Sequence, residues 1–174
     1  CGVGPAVPQA IVRLTLLMKI ISLSQGQSGV RREVIQFLLD LYNHNIIPVV
    51  PMLGSLGASG DLAPLAHLCL PMIGEGEVVY KREQMPASRA LMLAGIDTLP
   101  LEAKEGLALI NGTQYSLAWL VYSINSALRL AEVRSTLTNE VSVNKQSVRI
   151  VSISDSRPTV PTVFSIALLI LVKL

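Results

Sequence analysis

Aromatic residues make up only 4% of this 174-residue chain, and charged residues only 15%. With so few rings, the apolar residues are mostly Leu, Ile, Val and Ala, a set that suits a core of packed helices. The formal net charge is only +2. Arg13, Lys19, Arg31, Arg32, Lys81, Arg82 and Lys104 are scattered, with no aromatics interleaved, which argues against a nucleic-acid surface. Cysteine is scarce as well. Cys1 and Cys69 form neither a metal-ligand spacing nor a disulfide framework, and they read as small hydrophobes in a reducing compartment. His44 and His67 are isolated in sequence, and two such residues do not make a metal site. No long hydrophobic run occurs. The apolar stretch from Val163 to Val172 is about ten residues, where a membrane span needs about twenty. No initiator Met or signal peptide opens the chain, so the expectation is a piece of a longer protein. No internal repeat is found.

What is present is apolar: 51% of the residues are hydrophobic and the mean hydropathy is +0.53, above an ordinary soluble domain. Pro8, followed by Ile11, Val12, Leu14, Leu16, Leu17, Ile20, Ile21 and Leu23, predicts a mostly buried helix with Pro in its first turn. A second helix is predicted from about Arg31 to His44, with Val34, Ile35, Leu38, Leu39 and Leu41 inward. Ile46 to Pro51 must be extended, because each Pro disfavours helix at the residue before it. The small-residue stretch from Gly54 to Gly60 is a tight loop. Asp61 is expected to cap the helix after it, with Pro64 tolerated in the first turn. Val78 to Gln84 suggests a short hairpin. Further helices are predicted over 86–93, 101–109 and 112–131, the last carrying Leu117, Leu120, Val121, Ile124, Leu128 and Leu130. After Ala131 the composition turns rich in Ser, Val and Thr, with no sustained period.

Ala58-Ser59-Gly60 is the stretch with unusual chemical potential. Gly60 has no side chain, so its amide nitrogen can approach the Ala58 carbonyl closely. Ring closure with loss of water gives a five-membered imidazolinone. Loss of the Ser59 hydroxyl as a second water leaves an exocyclic methylene conjugated to the ring. That group is an electrophile, where the protein's own side chains supply nucleophiles, acids and bases. Amides at a helix N-terminus nearby can stabilise negative charge on the ring oxygen. Taken alone, the tripeptide is better read as a plain linker before a capped helix, since Ala-Ser-Gly occurs in many ordinary turns. A phosphate loop fits less well: Gly54, Gly57 and Gly60 follow neither G-x-G-x-x-G nor a P-loop with its Lys.

The longer string Gly54-Ser-Leu-Gly-Ala-Ser-Gly-Asp-Leu-Ala-Pro-Leu-Ala-His67 resembles the signature of the aromatic amino acid ammonia-lyase family. Gly74-Glu-Gly-Glu77 and Lys104-Glu-Gly-Leu-Ala-Leu-Ile-Asn-Gly-Thr-Gln114 match further family segments in the expected order. Cys1-Gly-Val-Gly4 and Ser28-Gly-Val-Arg31 do so too. The resemblance covers about residues 1–131 and is nearest to the histidine ammonia-lyases. It implies a mainly α fold, a partial chain of the helical L-aspartase/fumarase-like lyase domain. It also implies the methylidene-imidazolinone group, MIO, formed autocatalytically from Ala58, Ser59 and Gly60, with no external cofactor and no metal. Ser59 would become the dehydroalanine part, and Asn111 falls on the family's active-site Asn, which hydrogen-bonds near the MIO. An N-cap role before Gly112 is compatible with that.

Gln114, directly after Asn-Gly-Thr, resembles the histidine lyases more than the phenylalanine or tyrosine lyases. The implied reaction is non-oxidative elimination of ammonia from L-histidine to give trans-urocanate, in a cytoplasmic homotetramer. A lyase or aminomutase for phenylalanine or tyrosine is the alternative, as is an inactive helical fragment of such an enzyme. The family's acid/base Tyr and its substrate-gripping Arg, Phe, Gln and Glu would lie upstream of Cys1 or downstream of Ala131. Tyr80, Tyr115 and Tyr122 read as packing residues, His67 as structural, and Glu75 with Glu77 as a solvated turn.

Two departures stand out. Lys19-Ile20-Ile21 occupies a stretch where the family often has Arg and Asn, which predicts a weakened local polar network. Residues 132–174 do not continue the family pattern, so they are expected to be a divergent tail, of the kind a frameshift or truncation leaves. A chain limited to these residues is expected to be inactive.

Overall fold

The computed structural model of the chain describes residues 2–55 and 60–138. The contacts divide it into two units, Cys1–Trp119 and Leu120–Leu174. Among its described residues the first has five short strands, five α-helices, one 3-10 turn (Leu70–Ile73) and the start of a sixth α-helix: β1 (Val3–Ala6), α1 (Gln9–Ser24), α2 (Arg32–Asn43), β2 (Ile47–Pro48), β3 (Pro51–Leu53), α3 (Leu62–Cys69), β4 (Glu77–Tyr80), β5 (Glu83–Pro86), α4 (Ala87–Ala94), α5 (Glu105–Ile110) and α6 (Gln114–Thr138). Of the second unit, the part described is the remainder of α6.

Helices build the core of the first unit. Ile11, Val12, Leu16, Met18 and Leu23 of α1 meet Val34, Phe37, Leu38 and Leu41 of α2, all nearly inaccessible to water. Leu65 and Leu68 of α3, Met72 after it and Leu91 of α4 extend this core. Each such side chain contributes about 1.5–3 kcal/mol of burial, and few aromatics are needed. The expected helices are found, with shifts that have local causes. Pro8 is the N-cap of α1 rather than a residue of its first turn. The helix predicted over 101–109 is confined to Glu105–Ile110. Lys104 takes a φ of +69° immediately before it, which blocks an earlier start. α6 runs past Ala131 to Thr138. Leu120, Ile124, Leu128 and Leu130 of this helix are 44–71% exposed. Residues 139–174, and with them most of the expected divergent tail, lie outside the described residues.

The prolines fall where strands tolerate them. β2 pairs with β4, and β4 with β5, all antiparallel, so Pro48 sits on an edge strand. Pro51 opens β3. Both positions spare the ladder a missing N–H. The β4–β5 hairpin turns on Lys81 and Arg82, both at positive φ. That is the two-residue turn geometry that matches strand twist, here without the Asn-Gly that usually signals it. β1 pairs with β3, bringing the chain start beside the entry to the loop after β3. Nothing in the periodicity of residues 2–6 predicts this strand.

Candidate active site

The loop after β3 is held at both ends. At its entry, Gly54 lies so close to Gly2 that an added Cβ would stand 3.1 Å from the Gly2 Cα. Leu56, Gly57, Ala58 and Ser59 lie outside the described residues. The chain re-enters at Gly60, whose φ is +103°. A Cβ there would stand 2.7 Å from the Gly112 carbonyl oxygen. Only glycine combines that backbone angle with that approach. One residue on, the Asp61 amide donates to the same Gly112 oxygen at 2.8 Å. The end of the signature loop is thus laid directly across the link between α5 and α6.

Asp61 is 1% exposed, and its side chain does not cap α3 as the sequence suggests. It reaches across to α6 instead. One carboxylate oxygen accepts from the Ser116 amide at 2.8 Å, and the other from the Ser116 hydroxyl at 2.6 Å and the Ser55 hydroxyl at 2.7 Å. Ser116 is the third residue of α6, so the carboxylate satisfies an orphan first-turn amide of a distant helix and complements its positive end. Through Ser55 the same carboxylate ties the entry of the loop to its exit. Tyr115 is buried, and its hydroxyl donates to the Met52 carbonyl at 3.2 Å, which fixes α6 to β3. Its ring meets Trp119 edge-on at 6.3 Å.

Asn111 ends α5 in an extended conformation. Its amide donates to Leu107 at 2.9 Å and its carbonyl accepts from the Lys19 ammonium at 2.8 Å. Lys19 is 1% exposed, and burial lowers its pKa from 10.5 to about 8. Lysine at this position therefore makes a polar contact in the core. Gln114 folds back over Gly112, and its buried side-chain oxygen has no hydrogen-bond partner among the described residues. A buried acceptor in that state is uncommon. At the other end of α5, Glu105 is 2% exposed and receives the Arg31 guanidinium at 2.8 Å on each oxygen. That pairing holds its carboxyl down at about 2.

Of the residues singled out from sequence, Gly60 and Asn111 are brought together through Gly112, while Ala58 and Ser59 lie outside the described residues. The described residues are compatible with a ring made from the backbone at this point: Gly60 is stripped of side-chain space, and an acceptor that no described residue engages lies beside its neighbour Gly112. His44 ends α2, its ring nitrogen 2.9 Å from the Asp40 carbonyl. His67 is half-buried, next to Gly2, with burial lowering its pKa. Tyr80 is buried and Tyr122 is 44% exposed. Cys69 is a buried free thiol, pushed up to about 12 by desolvation. Among the described residues no cluster of metal-ligating side chains occurs, and no helix is long and apolar enough to cross a membrane. Sequence reading missed the Asp61–Ser55–Ser116 knot and the Lys19 contact. Their one visible signal was a charged residue inside an otherwise apolar or small-residue run.

A family model described as aromatic amino acid lyase matches residues 1–147, somewhat beyond the resemblance read from motifs. A histidine ammonia-lyase of Legionella pneumophila (strain Paris) is 56% identical over 118 residues, covering 68% of this chain and 23% of that protein. One from Bradyrhizobium diazoefficiens is 49% identical over 144 residues, covering 83% and 28%. Among solved structures, Pantoea agglomerans phenylalanine aminomutase matches with a TM-score of 0.68 at 38% identity, covering 74% of this chain and 24% of that one. Histidine ammonia-lyase from Trypanosoma cruzi gives 0.68 at 36%, covering 76% and 27%. The chain spans about a quarter of the length of these curated relatives.

Proposed function

Because this chain belongs to the aromatic amino acid lyase family, we propose that the protein carrying it eliminates ammonia from L-histidine to give trans-urocanate. The observation that supports the reading best is the crossing of Gly60–Asp61 over Gly112, where Gly60 takes a backbone angle and a close approach to the α5–α6 link that only glycine allows. The MIO so formed supplies an electrophilic methylene, which serves to make the substrate amine a leaving group.

In this reading the chain's own residues work as a scaffold. Gly60 keeps its nitrogen unencumbered for closure onto Ala58, and Ser59 contributes the hydroxyl that leaves. Asp61 holds both ends of the loop. Asn111 presents its side chain beside the ring, on a backbone held by Lys19. The buried oxygen of Gln114, which no described residue engages, would accept a hydrogen bond at the site. The base that removes the proton next to the side-chain ring comes from outside residues 1–131, and such help is worth about two to four powers of ten.

Histidine is favoured over phenylalanine or tyrosine by Gln114 and by the names of the two curated relatives. The reading includes a cytoplasmic homotetramer acting in histidine catabolism, with residues 1–131 as the MIO-forming part and 132–174 as a divergent tail. Residues 1–174 alone are expected to lack turnover. The test uses the full-length protein. Expected are a peptide over Ala58–Gly60 lighter by two waters and ammonia release from histidine in preference to phenylalanine and tyrosine. An intact Ser59 in a folded protein refutes the proposal; preference for phenylalanine or tyrosine refutes the substrate assignment alone.

A further inference from the structure

Lys19 stands in the middle of α1, flanked by Leu16, Met18 and Leu23, and is as inaccessible as they are. An ammonium in such surroundings is unfavourable unless its hydrogen bonds are met, and its lowered pKa of about 8 records that burden. Packing does not call for the charge, since an unbranched apolar side chain of similar length would fill the same space. The use of the charge is therefore at its tip, 2.8 Å from the Asn111 carbonyl.

That carbonyl belongs to the peptide joining Asn111 to Gly112. The next carbonyl, of Gly112, accepts from Asp61 and lies against Gly60. Two successive carbonyls of the α5–α6 link are thus pinned by different parts of the chain, one by α1 and one by the signature loop. A turn about ψ of Asn111 or φ of Gly112, the bonds on either side of this peptide, would swing the Asn111 side chain relative to the Gly112 oxygen. Asn111 ends a helix of only six residues, which has little intrinsic rigidity to oppose such a rotation.

We propose that Lys19 is a positioning residue: delivered across the core from α1, it fixes the Asn111–Gly112 peptide so that Asn111 and the Gly60 crossing keep the arrangement the lyase site needs. This rests on the functional reading above. It is tested with Lys19→Met and Lys19→Arg in the full-length protein. Helix content and thermal midpoint report the fold, the mass of the Ala58–Gly60 peptide reports ring formation, and kcat and KM for histidine report the site.

Lys19→Met is expected to fold and to carry less of the two-water-lighter peptide. Its kcat should fall by about 100-fold, the scale of an ångström-level misplacement, with KM changed less. Lys19→Arg, which keeps a cation and its donors, should recover both ring content and kcat. A folded Lys19→Met with wild-type ring content and kcat overturns the proposal. Should Lys19→Met not fold, Lys19→Arg decides: wild-type ring content and kcat support the proposal, and a folded variant without the ring overturns it. Wild-type protein lacking the ring overturns the functional reading first, and this inference with it.

Discussion

Removing the Asp61 carboxylate should loosen the candidate site far more than it loosens the rest of the protein. In Asp61→Ala, three hydrogen bonds to a buried anion disappear: two from Ser116 and one from Ser55. At about 1.5–3 kcal/mol for each bond to a charged group, their sum sets a ceiling of about 9 kcal/mol. The true loss is smaller, because Ser116 is exposed and water can re-solvate it, and because bonds sharing one acceptor group are not additive. About 2–4 kcal/mol is the working figure. If the first turn of α6 opens locally, that figure converts to roughly 30- to 1,000-fold faster amide exchange at Ser116, taking 1.4 kcal/mol per factor of ten.

Asp61→Asn separates charge from shape. With its amide oxygen facing the Ser116 amide, its NH2 can donate to the two hydroxyls, which rotate to accept. Three bonds survive as neutral ones, for a loss of about 1–2 kcal/mol. The assay is hydrogen exchange of peptides covering residues 112–118 in the full-length protein, together with the mass of the Ala58–Gly60 peptide. Exchange should rise steeply in Asp61→Ala and modestly in Asp61→Asn, and ring formation should fall in the same order. Unchanged exchange at Ser116 in Asp61→Ala, with full ring formation, would show that the carboxylate does not hold the loop to α6.

Gly60→Ala should combine strain at φ +103° with loss of the neighbouring Asp61–Gly112 bond, together about 2–3 kcal/mol; limited proteolysis near residue 60 should speed up and ring formation should fail. The Arg31–Glu105 pair should make stability acid-sensitive. Glu105 is depressed from 4.5 to about 2 by its Arg31 hydrogen bonds, so its contribution is complete above pH 4.5 and is lost as pH falls towards 2. Thermal midpoints measured across that window should drop in the wild type, and Glu105→Gln should flatten the component this group adds.

The helices were legible because their signals are local. A run of Leu, Ile and Val bounded by Pro8 and Gly26 needs nothing distant to become α1, and α2 is similarly bounded. β1 was not legible, because residues 2–6 form a strand only by pairing with residues 51–53. The same division holds within the site. Gly60 could be singled out, since a glycine with special backbone demands announces itself inside a small-residue motif. Asp61 was noticed but given the wrong helix: next to Leu62 it looks like the cap of α3, and its partner Ser116 lies 55 positions away. Lys19 looked like a defect for a related reason. Its partner is a backbone carbonyl, which carries no residue identity a sequence could display.

The short helix α5 shows why those illegible contacts matter to the chemistry. Six residues cannot hold a helix in water by their own hydrogen bonds, because isolated helices below about 12–15 residues are marginal. Its position is imposed from outside. Arg31 binds Glu105 at its first residue, Lys19 binds Asn111 just past its last, and α3 packs against its side. Both cations come from the α1–α2 region, and both meet backbone or carboxylate oxygens of α5. The segment that offers Asn111 and Gly112 to the signature loop is therefore a bridge fixed at its two ends rather than an independent element. Weakening either end leaves the α1–α2 core intact while freeing the one stretch that Gly60 leans on. Loss of site geometry is thus expected to precede loss of fold.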